Sequence, residues 1–319
     1  MAHIHDVIES VSAILQPVYL VGGSVRDALM GRESADFDFA TPLEPDRIEQ
    51  AIRTAGRRPY LMGKRFGTIA FKLDGMTVEV TSFRSERYSE GSRQPNVEFF
   101  ADLDEDLSRR DFTINAMAML GEELVDPFGG EADLRAGLVR AVGDPAERFA
   151  EDPLRMLRMA RFASQLDFQV DPLTALAAAS LASGILSVAR ERWMIELDHL
   201  LLGPGVEPAL HLLSETGLIR FLLPEIGLQV GMRTESRPGS GSLFDCTVEA
   251  VGSAPPEICA RWAALFRDAA VPYLPLNPGS DNNDLDRTLL AREIVERTAL
   301  YLKWSNQRRE TVERLMLEL

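Results

Sequence analysis

Asp36 and Asp38 stand two positions apart in the run ADFDFAT, a spacing that puts both carboxylates on one face of a β-strand. Two like charges held that close repel unless a cation lies between them. Hard oxygen donors suit Mg2+, which takes one or two carboxylates and commonly adds substrate phosphates. Two such ions can stabilise the attacking and leaving oxygens of an in-line phosphoryl transfer. Phe37 and Phe39 alternate with the acids, so the other face of the strand is expected to be buried. A solvent-facing edge strand would carry the same pair without chemistry, and the neighbouring residues weigh against that.

Upstream, in LVGGSVRD, Gly22, Gly23 and Ser24 separate an apolar run, Pro17–Val21, from a helical segment starting near Val25. Small residues let the backbone approach a phosphate, and a helix N-terminus offers unpaired amides to an anion. Arg26, in the first helical turn, adds a charge for a triphosphate. A tight strand-to-helix turn accounts for the glycines alone; the turn and the acid pair together read as a triphosphate site. Further on, Asp152, Arg155, Arg158 and Arg161 recur every third residue in EDPLRMLRMAR and form a slowly drifting helical stripe. Three arginines without an acid between them repel unless phosphate or carboxylate compensates. The structural alternatives are an N-cap role for Asp152 before Pro153 and a salt-bridged face for Arg158 and Arg161.

Positioning these groups requires a strand–turn–helix unit set in a sheet. Helical patterning over Ile4 to Leu15 leads into Pro17–Val21. β-Branched and aromatic enrichment predicts strands at Phe37–Ala40, Thr68–Leu73, Thr77–Phe83 and Val97–Phe100, with helices at Pro45–Ala55 and Phe112–Met119. From about Pro145 the pattern is helical: Pro153 opens a helix running to Leu166, and Ala- and Leu-rich stretches follow at 172–186, 189–202 and 207–223. Gly, Ser and Pro mark linkers at Arg233–Ser242 and Leu276–Asp286, before a final pair of helices. The expected fold class is an α/β head with a small mixed sheet over residues 1–140, then an all-α neck over 141–230 and a helical body or tail over 231–319.

At 319 residues the chain is too long for one ordinary core. Its 45% hydrophobic and 26% charged residues are those of a soluble globular protein. No run of about 18 apolar residues is present, so no membrane span is expected, and MAHIHDVIES lacks the apolar segment of a secretory signal. Cys246 and Cys259 lie far from any metal-ligand spacing, which points to a reducing, cytoplasmic compartment and away from a disulfide framework. The four histidines also lack ligand spacing; His199 and His211 read as ordinary helix residues. A net charge of −15 runs against the basic excess usual in nucleic-acid enzymes, so phosphate contacts must come from local arginine clusters.

In one order along residues 17–226, the chain carries LVGGSVRDALMG, DFDFAT, FGTIAF, VEVTSFR, RRDFTINAMAM, DPFGGEADLRAGLVRAVGDPAERFAEDPLRMLRMARFASQLDF, RERWMIEL and LPEI. This series resembles the class II tRNA nucleotidyltransferases, the family of CCA-adding enzymes and bacterial poly(A) polymerases. The resemblance implies a polymerase-β-like head followed by helical neck and body regions. It implies that the Gly22 turn, with Gly23, Ser24 and Arg26, meets the triphosphate while Asp36 and Asp38 hold Mg2+. It further implies that Arg110 and Asp111 serve the incoming nucleotide and its ribose, that Asp152 and Arg155 read the base edge, and that Arg158 and Arg161 support nucleotide or phosphate binding. Chemistry supports the base-reading role. Cytosine and adenine both present an exocyclic amino donor beside a ring-nitrogen acceptor, which an Asp and an Arg complement. Uracil and guanine put an oxygen where the Asp needs a donor, and each such contact discriminates by roughly 1–3 kcal/mol.

The implied activity is template-independent addition of C and/or A to a tRNA 3′ end from CTP or ATP. A poly(A) polymerase acting on diverse RNAs, a catalytically silent RNA-binding paralogue and nucleotidyl transfer to a small molecule are the alternatives; the oligomeric state is not legible. Glu79 reads as an arginine's ion-pair partner rather than a third active-site carboxylate, and Arg190, Glu191 and Arg192 as ties between neck helices. The length of SFRSERYSEGSRQPNVEFFADLDEDL favours CCA or A addition over CC addition. Two departures from the family stand out. In RWAALFRDAAVP, Arg267 precedes Asp268 where longer relatives carry a phosphohydrolase-like His, so no such activity is expected. The acidic residues after about 230 lack basic clusters, so tRNA binding is expected to depend more on neck arginines than on the tail, although LKWSNQRRETVERLM resembles a family tail helix.

Overall fold

A computed structural model of the chain describes residues 2–32, 36–87, 96–99, 102–233, 241–274 and 283–318. It divides into two compact units, residues 1–136 with 140–144 and residues 137–139 with 145–319.

The first unit is built on a six-stranded mixed sheet. Its strands are β1 (Tyr19–Val21), β2 (Asp36–Thr41), β3 (Thr68–Leu73), β4 (Met76–Ser82), β7 (Ala118–Leu120) and β8 (Glu123–Val125), in the order β3-β4-β2-β1-β7-β8. Only β2 and β4 run parallel, with Asp38 opposite Glu79; the other neighbours are antiparallel. Between β4 and β7, a separate hairpin pairs β5 (Arg84–Arg87) with β6 (Asn96–Phe99). The expected strand at Val97–Phe100 is thus a hairpin partner outside the main sheet, and Phe100 lies outside the described residues, as does 88–95 of the long loop.

Alternation sets which face is buried. Phe37 and Phe39 on β2, Ile69 and Phe71 on β3, and Val78 and Val80 on β4 are all almost wholly buried. Burying a side chain of this size stabilises by roughly 1.5–3 kcal/mol. Helix α3 (Pro45–Thr54) contributes Ile48 and Ile52 to the core, and α1 (Ala2–Ser12) contributes Val7, Ile8 and Val11. Pro45 stands in the first turn of α3, where its missing N–H costs nothing. Helices α2 (Gly23–Leu29), α4 (Leu103–Ser108) and α5 (Gly130–Ala136) complete the unit.

The helix expected over Phe112–Met119 is not formed. Thr113–Asn115 makes a single 3-10 turn, and Ala118–Leu120 is β7, pairing Ala118 with both Val21 and Val125. The run FTINAMAM has enough Ala and Met to read as helix. Its two strand partners supply hydrogen bonds and a dry pocket for Ala118, so tertiary pairing overrides propensity.

In the second unit a short parallel bridge joins β9 (Leu138–Val139) to β10 (Gln169–Val170). The remainder is helical: α6 (Pro145–Glu151), α7 (Leu154–Leu166), α8 (Pro172–Leu181), α9 (Arg190–Leu201), α10 (Val206–Glu215), α11 (Ile219–Leu222), α12 (Pro224–Gly227), α13 (Leu243–Ser253), α14 (Ile258–Phe266), α15 (Asn283–Tyr301) and α16 (Asn306–Glu318). This is the mixed sheet followed by a helical body that the sequence predicts. Helix α7 ends at Asp167, which takes the left-handed conformation at φ 57°. Ser242 and Asp245 form a reciprocal capping box that starts α13 just after the first expected linker. Most of that linker, residues 234–240, lies outside the described residues; α15 begins inside the second one, at Asn283. No helix among the described residues is long and apolar enough to cross a membrane.

Candidate functional site

In the first unit, Asp36 and Asp38 project from the solvent-exposed face of β2, while Phe37 and Phe39 are buried behind them. The parallel register sets Glu79 beside Asp38 on the same face. A third carboxylate thus shares the face where two were expected. Glu79 has no ion pair with an arginine among the described residues, contrary to the sequence reading. Protein packed around Asp38 displaces water and raises its carboxyl above the ordinary aspartate value. Glu79 pushes it further, Arg110 opposes, and Asp36 adds a smaller push.

The glycine turn is fixed to this strand. Ser24 is buried, and its hydroxyl accepts the backbone N–H of Asp38 at 3.0 Å. Gly22 adopts φ +69°, a conformation that L side chains rarely take, and donates its N–H to the Met117 carbonyl at 3.2 Å. A Cβ there would stand 2.7 Å from Arg110 Nη1, so glycine is also required for the guanidinium to lie against the turn. Gly23 opens α2, where the first amides have no intrahelical acceptor.

Arg26 and Arg110 are already oriented. Arg26 donates from Nε and Nη2 to Asp27 and from Nη1 to the Asn115 side chain at 2.8 Å. Asn115 in turn donates to Asp111 Oδ1 at 3.1 Å, and that oxygen also accepts the Phe112 N–H at 2.9 Å. Arg26, Asn115 and Asp111 therefore form a continuous chain. Asn115, buried within the misassigned segment, was missed in the sequence; its signal was the polar residue set among apolar neighbours in FTINAMAM. Arg110 donates to Asp106 at 3.1 Å, while its Nε is buried with no acceptor among the described residues. Asp106 is likewise buried. Burial alone would raise its carboxyl, but Arg109 and Arg110 outweigh it and hold the group below the ordinary value.

The second unit carries the arginine stripe. Asp152 Oδ1 accepts the Leu154 N–H at 3.1 Å, the role of an N-cap, and Oδ2 accepts Arg192 at 2.9 Å. Arg155 donates to Glu151 at 2.8 Å and to the Arg148 carbonyl at 3.1 Å. Arg158 and Arg161 flank the buried Glu196 of α9 at 3.6 Å and 3.1 Å; the Arg161 contact is out of line for a hydrogen bond and acts as an ion pair. Both guanidiniums also lie over the Phe162 ring, at 5.3 Å and 4.0 Å from its centre. The charge compensation that the stripe demanded comes from Glu151 and Glu196. Of the expected ties, Arg192 holds Asp152 and Arg190 stacks on Trp193 at 3.6 Å and Tyr301 at 4.6 Å. Asp268, in the stretch RWAALFRDAAVP, is held by Arg267 and Arg287. In α16, Arg308 grips Asp198 with both terminal nitrogens, and Trp304, just before that helix, packs on Trp262, so these groups serve the fold.

Residues 18–140 match the family model described as "Poly A polymerase head domain", and residues 167–228 match "Probable RNA and SrmB- binding site of polymerase A". A CCA-adding enzyme of Bacillus licheniformis is 46% identical over 206 residues, covering 64% of this chain and 51% of that protein. One from Bacillus velezensis is 37% identical over 281 residues, covering 88% of this chain and 66% of that protein. Among solved structures, the Bacillus stearothermophilus CCA-adding enzyme in complex with CTP superposes with a TM-score of 0.66 at 28% identity, over 99% of this chain and 82% of that one. The chain spans about half the length of most of the curated relatives it matches. On these matches and on the shared order of its motifs, the chain belongs to the class II tRNA nucleotidyltransferase and poly(A) polymerase family.

Proposed function

We propose that the protein is a template-independent RNA nucleotidyltransferase that adds C and/or A to tRNA 3′ ends from CTP and ATP. The observation that carries this reading is the carboxylate face of β2 joined to the glycine turn through Ser24 and Asp38. The donor chemistry of this face supports a divalent cation there. Asp36 and Asp38 share one face with Glu79 beside Asp38, and the Asp38 carboxyl is raised first by burial and then by the charge of Glu79, which a cation would offset. Hard oxygens with room for substrate phosphates suit Mg2+. Asp36 and Asp38 would hold it, and when bound it supplies charge stabilisation for phosphoryl transfer. Among the described residues no group of three or more His, Cys, Asp or Glu is set on one ion.

The chain's own residues divide the remaining work. The turn at Gly22, Gly23 and Ser24 lets the triphosphate approach the backbone, and Arg26 and Arg110 lend it positive charge from fixed positions. Asp111, at the end of the chain through Asn115 to Arg26, serves the ribose. Asp152 and Arg155 read the base edge, accepting from the amino group and donating to the ring nitrogen that cytosine and adenine share. Arg158 and Arg161 contribute to binding from positions set by Glu196. We read residues 141–230 as the nucleotide-selecting region and 231–319 as a body that contributes to RNA binding. The relatives' names and the CTP complex of the Bacillus stearothermophilus enzyme support these substrates.

The rival within the same chemistry is a poly(A) polymerase, which the description of the head-domain family model favours. Products from tRNA lacking CCA, tRNA ending in CC and an unstructured RNA, each with one nucleotide triphosphate at a time, separate the two. Addition confined to tRNA ends and stopping after the CCA set is expected. Long adenylate tails on any RNA would overturn the tRNA reading.

A further inference from the structure

The face that carries Asp36 and Asp38 does not stop at β2. Asp38 pairs with Glu79 on β4, Glu79 with Ala70 on β3, and Ala70 with Tyr60, which bridges the outer edge of β3. Tyr60 exchanges both backbone hydrogen bonds with Ala70, at 2.7 Å and 3.3 Å. Directly paired residues project to the same side of a sheet. Asp38, Glu79, Ala70 and Tyr60 therefore form one row on the open face, while Phe39, Val80, Ile69 and Pro59 are buried on the other. Ala70 keeps the row low between its ends. Tyr60 is 49% exposed at the outer end of this row.

Three strand spacings separate the ends of this row, about 14 Å. That is the reach of a few nucleotides of a single strand. Positive charge accompanies the ring: Lys72 is exposed in the next row, held by Thr77 at 2.7 Å, Arg57 lies against the Lys72 carbonyl, and Arg58 is exposed beside the bridge. An exposed aromatic flanked by cations is the arrangement that takes single-stranded nucleic acid, because every base has a face that stacks.

We propose that Tyr60 is a stacking platform for a base of the unpaired RNA 3′ strand, a few nucleotides back from the end that meets Asp36 and Asp38. The proposal rests on the reading that the protein extends RNA. The occupant is a single-stranded RNA end, not the incoming nucleotide, because the ring stands at the far edge of the sheet from the glycine turn.

The test uses the full chain with Tyr60→Ala and Tyr60→Phe. Affinity is measured in Mg2+ buffer by fluorescence anisotropy for an RNA hairpin bearing an unpaired 3′ overhang and for the same hairpin with a blunt end. Nucleotide KM and wild-type incorporation are measured alongside. Tyr60→Ala is expected to weaken overhang binding by about 5- to 150-fold, to leave blunt-end binding and nucleotide KM unchanged, and Tyr60→Phe to restore the affinity. The backbone bridge does not depend on the ring, so both variants are expected to fold. Unchanged overhang affinity in Tyr60→Ala, equal loss on the blunt hairpin, a rise confined to nucleotide KM, or no overhang binding by the wild type would each overturn the platform. Wild-type protein that loses overhang affinity on Tyr60→Ala yet adds no nucleotide would overturn the proposed activity and leave the platform standing.

Discussion

Ser24 and Asp38 are joined by a hydrogen bond from the Asp38 backbone N–H to the Ser24 hydroxyl at 3.0 Å, which ties the glycine turn to the carboxylate strand without relying on the loop between them. Replacing Ser24 by Ala leaves that N–H without its acceptor. A buried donor so orphaned costs about 1–3 kcal/mol. Ser24→Ala is therefore expected to lower the urea midpoint correspondingly and to slow nucleotide transfer, since the acid pair loses its fixed offset from the turn. Wild-type stability and rate in this variant would show that the bond fixes nothing.

Gly22 combines φ +69° with a Cβ position 2.7 Å from Arg110. Gly22→Ala should be destabilised by about 1–3 kcal/mol through backbone strain, and the displaced guanidinium should raise the KM for nucleotide. Thermal melts and nucleotide titration read the two effects separately. An unshifted melting temperature would mean the turn relaxes without strain.

Asp106 offers a pH test. Its folded carboxyl lies below the ordinary value because Arg109 and Arg110 outweigh burial. A depressed folded value means the contribution to stability is present above the unfolded pKa, about 3.9, and is lost as pH falls through the folded value. Unfolding free energies of wild type and Asp106→Asn from urea titration should differ by roughly 1.5–3 kcal/mol near neutrality, as for hydrogen bonds to charged groups. That difference should shrink only below about pH 4. A gap that widens on acidification has the wrong sign for this pair.

Glu196 sits buried between Arg158 and Arg161. Glu196→Gln should cost about 2 kcal/mol or more, since the buried carboxylate that both guanidiniums flank loses its charge. Because the groups act as a unit, the double variant Glu196→Gln with Arg161→Gln should be less destabilised than the two single effects added. Strict additivity by chemical denaturation would contradict the coupling.

Local pattern made much of this site legible. The period of two in ADFDFAT gave the facing of Asp36 and Asp38 and the burial of Phe37 and Phe39, and the Asp152 cap followed from the Asp–Pro step. What stayed hidden depends on partners distant in sequence. Glu79 joins the acid pair only through the parallel register of β2 on β4, and Glu196 reaches the arginine stripe from a helix some forty residues on. The segment Phe112–Met119 misled because helix-forming residues occupy a strand held from both sides. Asn115, which links Arg26 to Asp111, was obscured by the same error.

On the proposed function, Asp36 and Asp38 hold the chemistry of nucleotide transfer. Single-turnover transfer of labelled CMP and AMP to tRNA lacking CCA, in Mg2+, tests it with wild type and Asp38→Asn. The wild type should extend the tRNA. Asp38→Asn should bind tRNA with unchanged affinity and lose roughly a thousandfold or more in rate, as expected when several kcal/mol of charge stabilisation is removed. Extension by Asp38→Asn within a few-fold of the wild-type rate would contradict that role.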